Sequence, residues 1–251
     1  MYVLKAEGLT KVYGSQSRVV TRALDNFSVE VAQGEFLGIM GPSGSGKTTL
    51  LNLLATIDTP TAGRIFLDGV ETTQLKGAKL ALFRRRRLGF IFQDFNLLDS
   101  LTIAENMALP LVLDQKPYTT IAQKVQETAA QLGITGILEK YPYEVSGGQQ
   151  QRATAGRAII HEPAVVLADE PTGNLDSKAA KDLMAALQRL NKEAEASILM
   201  VTHDPFAASY CQRVLFIRDG QLYTEIHRGT SRELFFQEIL DALSHLGGGQ
   251  L

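Results

Sequence analysis

Gly41, Pro42, Ser43, Gly44, Ser45, Gly46, Lys47 and Thr48 put bare backbone amides, one lysine and one hydroxyl at the spacing G-x-x-x-x-G-K-[ST]. The glycines let successive N–H groups turn inward as an anion-binding nest. A helix opening at Thr48, with Thr49 in the same turn, would aim the positive end of its dipole at that nest. Lys47 can then neutralise the β- and γ-phosphates of a nucleoside triphosphate, and the Thr48 hydroxyl can ligate Mg²⁺. Upstream, Glu35-Phe-Leu-Gly-Ile-Met40 reads as a buried strand, and strand, loop, helix is the context that gives the spacing its chemical meaning.

A second group is the apolar run Val165-Val-Leu-Ala followed by Asp169 and Glu170. Asp169 is placed to hold Mg²⁺ through its water shell, and Glu170 to orient and deprotonate an attacking water. A carboxylate works as a base only if its proton affinity is raised, and both an acidic neighbour and an apolar strand disfavour the charged form. Third comes Val145-Ser146-Gly147-Gly148-Gln149, followed by a helical stretch through Ile160. A serine hydroxyl and glycine amides at a helix start can face an anion, though such a group alone is more often an ordinary N-cap. Four further positions are ambiguous in isolation. Tyr13 before Gly14 can be core or can stack on a base. Gln93 and His203 each follow an apolar strand, and Asp176, after Asn174-Leu175, can N-cap a helix.

In this order and spacing, the three motifs resemble those of ATP-binding cassette (ABC) ATPases. The resemblance implies an α/β fold: a P-loop NTPase core of ABC type with an N-terminal antiparallel β subdomain and an inserted helical subdomain. It implies one domain over 1–251, with 1–93 and 161–229 forming the core, 94–160 the helical part carrying the signature, and 230–251 a helical extension. ATP and Mg²⁺ are the implied cofactors. In that family the signature of one subunit, here Ser146, Gly147, Gly148 and Gln149, closes over the γ-phosphate held by the P-loop of another, so the active unit is a dimer. Tyr13 would stack on adenine, Gln93 would touch the metal or its water and link the site to a membrane partner, and His203 would contact the γ-phosphate. Asn174 to Asp176 would cross the dimer interface. Glu170, His203, Lys47 and Gln93 are thus the expected catalytic set, and Thr48, Gln93 and Asp169 the expected metal set.

The phrases Phe92-Gln-Asp-Phe-Asn-Leu-Leu98, Leu101-Thr-Ile-Ala-Glu-Asn106 and Ala168-Asp-Glu-Pro-Thr-Gly173 are similar to the branch serving macrolide export, lipoprotein release and cell division. Gly156-Arg-Ala158, the stretch Val201 to Cys211, Asp219-Gly-Gln-Leu-Tyr223 and the tail with Phe235-Phe236 look most like bacitracin-type peptide-resistance cassettes. Such systems pair the cassette dimer with one large permease, often with a sensor kinase, at the cytoplasmic face of the bacterial membrane. There, ATP closes the dimer, hydrolysis reopens it, and the permease pulls a peptide antibiotic off its lipid target. A lipoprotein-release or cell-division cassette is the alternative. A soluble ABC protein of translation or DNA repair would need a second cassette or a very long coiled-coil insertion, and this chain has neither.

The elements that must position these groups follow from the apolar pattern. Residues 1 to about 87 hold short alternating segments such as Phe27 to Val31 and Arg64 to Leu67, which read as strands around the phosphate-loop helix. From about 94 to 160 the pattern turns helical, with Ile121, Val125, Ala129 and Leu132 on one face and Gly133 at a helix stop. After 163 strands and helices alternate again, including an amphipathic stretch from Ser177 to Leu190. Thr230-Ser-Arg-Glu233 reads as a capping box opening a helix whose stripe of Phe235, Ile239, Ala242, Leu243 and Leu246 packs on its own domain or on a partner. Gly247 to Gly249 would fray the end. Arg84 to Arg87 reads as a solvated face, or as a surface for acidic residues or lipid headgroups.

Composition fits a cytosolic machine: 45% hydrophobic residues can fill a core, and a net charge of −2 gives no reason to expect nucleic-acid binding. The single Cys211 excludes an internal disulfide and a cysteine-based zinc site, and none of the three histidines other than His203 has a partner at metal-ligand spacing. Neither a signal peptide nor a membrane-spanning apolar run is expected, so work at a membrane would pass through another chain.

Overall fold

The computed structural model describes residues 1–14 and 20–247. Runs that are apolar at every position become central parallel strands, because both of their faces must be covered. Three of them, β3 (Phe36–Met40), β7 (Val165–Asp169) and β8 (Ile198–Val201), are buried along almost their whole length. With β6 (Leu88–Ile91), β9 (Arg213–Arg218) and β10 (Gln221–His227) they form a six-stranded sheet in the order β10-β9-β3-β8-β7-β6. Only β10 runs antiparallel to its neighbour. The long strands β1 (Tyr2–Tyr13) and β2 (Thr21–Ala32) join β4 (Ala62–Leu67) and β5 (Val70–Glu71) in a separate antiparallel sheet.

The period-2 alternation of side chains splits each central strand between two cores. Phe36, Met40, Val166, Ala168, Ile198 and Met200 face one, and Leu37, Ile39, Val165, Leu167, Leu199 and Val201 face the other. The second core is closed by the antiparallel sheet and by α1 (Lys47–Leu54). The first is covered by α3 (Ile103–Leu113), α4 (Tyr118–Leu132), α5 (Gly147–Ile159) and α6 (Ser177–Glu193). As expected, α4 buries Val125, Ala129 and Leu132 and ends at Gly133 in the left-handed region, φ 65°.

Three expectations need correction. The segment before β6 is not strand but α2 (Gly77–Arg87), a helix with no buried residue, and the arginine run is its last turn. That run is not simply solvated: Arg84 donates to the Thr56 carbonyl at 3.1 Å, Arg85 and Arg86 pair with Asp114, and Arg87 pairs with Asp68. The Arg86 guanidinium holds the Asp114 carboxyl below the usual range. Finally, the last helix, α8 (Arg232–Gly247), is capped by Ser231 rather than Thr230, its Oγ accepting from Leu234 N at 3.3 Å. Phe235, Ile239 and Leu246 of α8 are buried in the first core, next to the short helix α7 (Pro205–Ala208), so the stripe packs on its own chain. The fraying expected at Gly247 to Gly249 falls largely outside the described residues.

Between β6 and α3 the chain crosses from sheet to helices, and one fully buried amide organises the crossing. Asn106 Nδ2 shares its two hydrogens among the carbonyls of Leu98, Leu101 and Thr102 at 3.0, 3.1 and 3.0 Å, and its Oδ1 accepts from Leu98 N at 2.8 Å. Replacing it strands buried backbone groups, each at a desolvation cost. Asn106→Leu is expected to lower unfolding stability by about 2–4 kcal/mol, read as a fall in urea midpoint at constant slope.

Candidate nucleotide site

Three strand ends meet at one edge of the central sheet. In the parallel register Ile39 pairs with Val201, and Val201 pairs with Asp169. The loop after β3, the carboxylates after β7 and the histidine after β8 therefore leave the sheet side by side.

The loop from Gly41 to Gly46 needs its glycines for different reasons. A Cβ at Gly41 would lie 2.2 Å from the Ile217 carbonyl, and one at Gly46 would lie 2.4 Å from the Ala23 carbonyl at a φ of +105°. Gly44, at φ +78°, faces open space. The helix α1 opens on Gly46 with no side-chain cap, whereas α3, α5 and α6 are capped by Thr102, Ser146 and Asp176. Uncapped amides at a helix start, with Thr48 exposed beside them, form a cradle that suits a phosphate oxyanion. Ser45 Oγ is buried there without a hydrogen-bond partner among the described residues, a further polar group in the loop. Lys47 folds back so that Nζ donates to the Gly41 and Pro42 carbonyls, each at 2.9 Å. Burial lowers its pKa, opposed by Glu170 and Asp169.

Across from it, burial pushes the Asp169 carboxyl upward, and the Glu170 charge adds to the rise while Lys47 opposes it. Glu170 sits at φ 44°, in the left-handed region that a glutamate rarely adopts, and its N–H is fixed to the Val201 carbonyl at 2.9 Å. Its Oε2 accepts from His203 N at 3.2 Å and lies 2.9 Å from His203 Nδ1. The imidazole is exposed and the carboxylate largely covered. A proton on Nδ1 donates to Glu170, which leaves Nε2 facing outward.

The remaining expected residues are arranged around this centre. Tyr13 ends β1 beside Thr49, its hydroxyl donating to Asp58 at 2.8 Å and Lys11 Nζ standing 4.8 Å from its ring centre. Gln93 stands against the turn after Glu170: a Cβ at Gly173 would meet its Nε2 at 3.0 Å. Asn174 Nδ2 donates to the Gln93 carbonyl and to Asp94 Oδ1. Asp176 caps α6 by accepting from Ala179 N at 2.8 Å. Ser146 and Gln149 form a reciprocal capping box at the start of α5, which uses Ser146 Oγ as an acceptor and leaves its hydrogen free to donate to an anion. Gly147 and Gly148 lie in the first turn of that helix.

Sequence reasoning missed the residues that hold these groups. Lys11 could have been found as the same-face neighbour of Tyr13, two residues back on a strand. Asp58 acts only through the fold, and Asn174, expected at a dimer interface, reaches Gln93 only through it. A cavity of about 670 Å³ lined by Tyr2, Lys124, Ile160 and Leu190 lies apart from all of these groups, and none of the P-loop residues lines it.

Comparison with known proteins gives the same picture. A family model described as ABC transporter matches residues 24–173. The uncharacterized ABC transporter ATP-binding protein YvcR of Bacillus subtilis (strain 168) is 59% identical over 249 residues, covering 99% of this chain and 96% of that protein. The bacitracin export ATP-binding protein BceA of Halalkalibacterium halodurans is 52% identical over 251 residues, covering 100% and 99%. Among solved structures, a dimeric post-hydrolysis state of the ATP-binding cassette MJ0796 of Methanocaldococcus jannaschii, bound to ADP and Pi, superposes with a TM-score of 0.82 at 36% identity. It covers 90% of this chain and all of that one.

The glycine geometry separates two substitutions of the same chemistry. Gly44→Ala should cost only the backbone strain of its positive φ, about 1–2 kcal/mol, and keep nucleotide binding. Gly46→Ala adds a backbone clash and should abolish binding of a fluorescent ATP analogue. Titration of both variants, with thermal unfolding alongside, checks the contrast.

Proposed function

The chain belongs to the ABC transporter ATP-binding family, and from that premise we propose that it powers a separate membrane permease conferring resistance to cell-wall-directed peptides of the bacitracin type. The full-length likeness to a bacitracin export ATP-binding protein is the observation that carries this reading. Among the described residues no helix is long and apolar enough to cross a membrane, so the membrane part of such a system belongs to another chain.

Bound MgATP supplies a γ-phosphoryl group whose charge the metal partly neutralises for attack by water. The uncapped amides of α1 and the Lys47 ammonium would bind the phosphates, and the Thr48 hydroxyl, Gln93 and Asp169 would hold the metal. Glu170 takes the proton of the attacking water, and His203, hydrogen-bonded to it, keeps its carboxylate aimed. Each chain has one P-loop and one signature, Ser146 to Gln149. A second copy therefore completes the site, with Asp176 at the shared boundary and Tyr13 under the adenine. Closure of that dimer on ATP, and its reopening after hydrolysis, is the stroke passed to the permease, beside which a sensor kinase can sit.

Glu170→Gln should bind ATP normally, accumulate as a dimer and hydrolyse at least about 100-fold more slowly, the loss expected on removing a general base. Near-normal turnover in the presence of the permease would remove Glu170 from the base role. A mixture of Lys47→Ala and Ser146→Arg chains should recover hydrolysis that neither has alone, because one composite site in the mixed dimer keeps both intact elements. In the cell, deletion of the gene should lower the growth-inhibitory concentration of bacitracin or a lantibiotic, and Glu170→Gln should fail to restore it. Unchanged peptide sensitivity together with a division or lipoprotein-sorting defect would assign the ATPase to a different permease.

A further inference from the structure

The segment after Gln93 is held in an unfavourable shape. Phe95 and Asn96 both occupy the left-handed region, at φ 57° and 52°, and neither is glycine. Two adjacent residues of this kind persist only where their surroundings over-determine them. The groups that do so come from α5, the helix that starts at Ser146. Thr154 Oγ1 shares its one hydrogen between the Phe95 carbonyl at 3.0 Å and the Gln150 carbonyl of its own helix at 3.1 Å, and Arg157 donates through Nη2 to the Phe95 carbonyl at 3.1 Å and through Nη1 to the Asn96 carbonyl at 2.6 Å. One turn earlier the fully buried Gln151 donates from Nε2 to the Phe92 carbonyl at 3.0 Å and to the Pro171 carbonyl at 2.8 Å. Gln151, Thr154 and Arg157 are spaced i, i+3, i+6 and so share one face of the helix. At its other end the Phe95 ring packs over the helix start, 3.5 Å from where a Cβ on Gly147 would stand.

Arg157 is the costly member. It is half-buried, burial lowers its pKa, and its hydrogen bonds go to backbone carbonyls rather than to a carboxylate. Burying a guanidinium without a counter-charge is unfavourable. What it provides is a rigid planar fork that holds two carbonyls at a fixed separation, whereas a lysine ammonium reaches its acceptors from a single point on a flexible stem.

We propose that Arg157 is a positioning residue for Gln93: with Thr154 and Gln151 it fastens the Gln93 to Asn96 loop to α5, so that the signature helix and Gln93 of one chain move as a unit. This rests on the ATPase reading above and adds a residue that touches neither nucleotide nor metal. When a partner's nucleotide engages Ser146 to Gly148, α5 is drawn toward it and the strap carries Gln93 along. The state of one composite site is then felt at the metal side of the other.

The test is a double-mutant cycle on kcat with a structural readout beside it. Arg157→Lys keeps the charge and loses the fork, and Thr154→Val keeps the shape and loses one bond. Each should reduce kcat about 5- to 50-fold with the ATP KM changed less than about 2-fold, since α1 and Lys47 are untouched. In the Gln93→Ala background the same substitutions should have no further effect, because the side chain they position is gone. In nucleotide-free protein, amide exchange over residues 94–97 should be at least about 10-fold faster in Arg157→Lys than in the wild type, while exchange in β7 and β8 is unchanged. Multiplicative kcat losses in the double mutants, or unaltered exchange over 94–97, would overturn the proposal. Lack of ATP hydrolysis by the wild-type dimer would instead strike the ATPase reading, leaving the exchange experiment to decide whether the strap exists.

Discussion

The pairing of Ile39 with Val201 and of Val201 with Asp169 fixes the whole phosphate end of the molecule. Because side chains alternate with period 2, a slip of one residue in either pair would turn every side chain of that strand from one core to the other. It would also shift Glu170 or His203 by the length of a residue relative to the loop at Gly41. The register is secured by size rather than by directional bonds. Phe36 and Met40 are buried on one side of β3 and Leu37 and Ile39 on the other, so neither core tolerates the exchange. Two unrelated packing problems thus converge on one chemical alignment, and the carboxylate–imidazole contact at 2.9 Å follows from it.

The helix starts differ in how their first amides are met. Side chains satisfy them at α3 (Thr102) and α6 (Asp176), while α2 and α4, which follow Lys76 and Pro117, have no side-chain cap. At α1 the amides are left without a side-chain acceptor and the preceding residue is a glycine at φ 105°. The start of α5 is intermediate, capped by Ser146 yet with a hydroxyl hydrogen to spare. Glu170, Phe95 and Asn96 adopt the left-handed region close to the site, and seven other non-glycine residues among those described adopt it as well.

Much of this was legible in the residues themselves. Strands with no polar position, such as Ile198–Val201, can only be interior, and the motif spacings locate their C-terminal ends. Gly133 announced the end of α4 because only glycine adopts its φ without strain. The helix α2 was not legible, since Gly-Ala-Lys-Leu-Ala-Leu-Phe followed by four arginines buries no residue and so carries no stripe of the sort a periodic reading detects. Partners far apart in sequence were equally hidden: Asp58 for Tyr13, Asn174 for Gln93, Asp114 for Arg85 and Arg86. A side chain that reaches a backbone carbonyl, as Arg157 does, leaves no complementary residue type to look for. At the chain's end, Thr230 and Ser231 are both competent caps, and only the packing of Phe235 and Ile239 decides between them.

The attachment of α2 sets it apart from the other long helices. Phe83 leans against the second core, but most of the contact is ionic: Arg85 and Arg86 with Asp114, and Arg87 with Asp68. Such pairs weaken as dissolved ions screen them, the Debye length falling from about 10 Å at 0.1 M to about 3 Å at 1 M. Apolar contacts like those of α4 and α6 do not share that dependence. Raised salt is therefore expected to weaken the attachment of α2 more than the strand register or the cradle at Gly46.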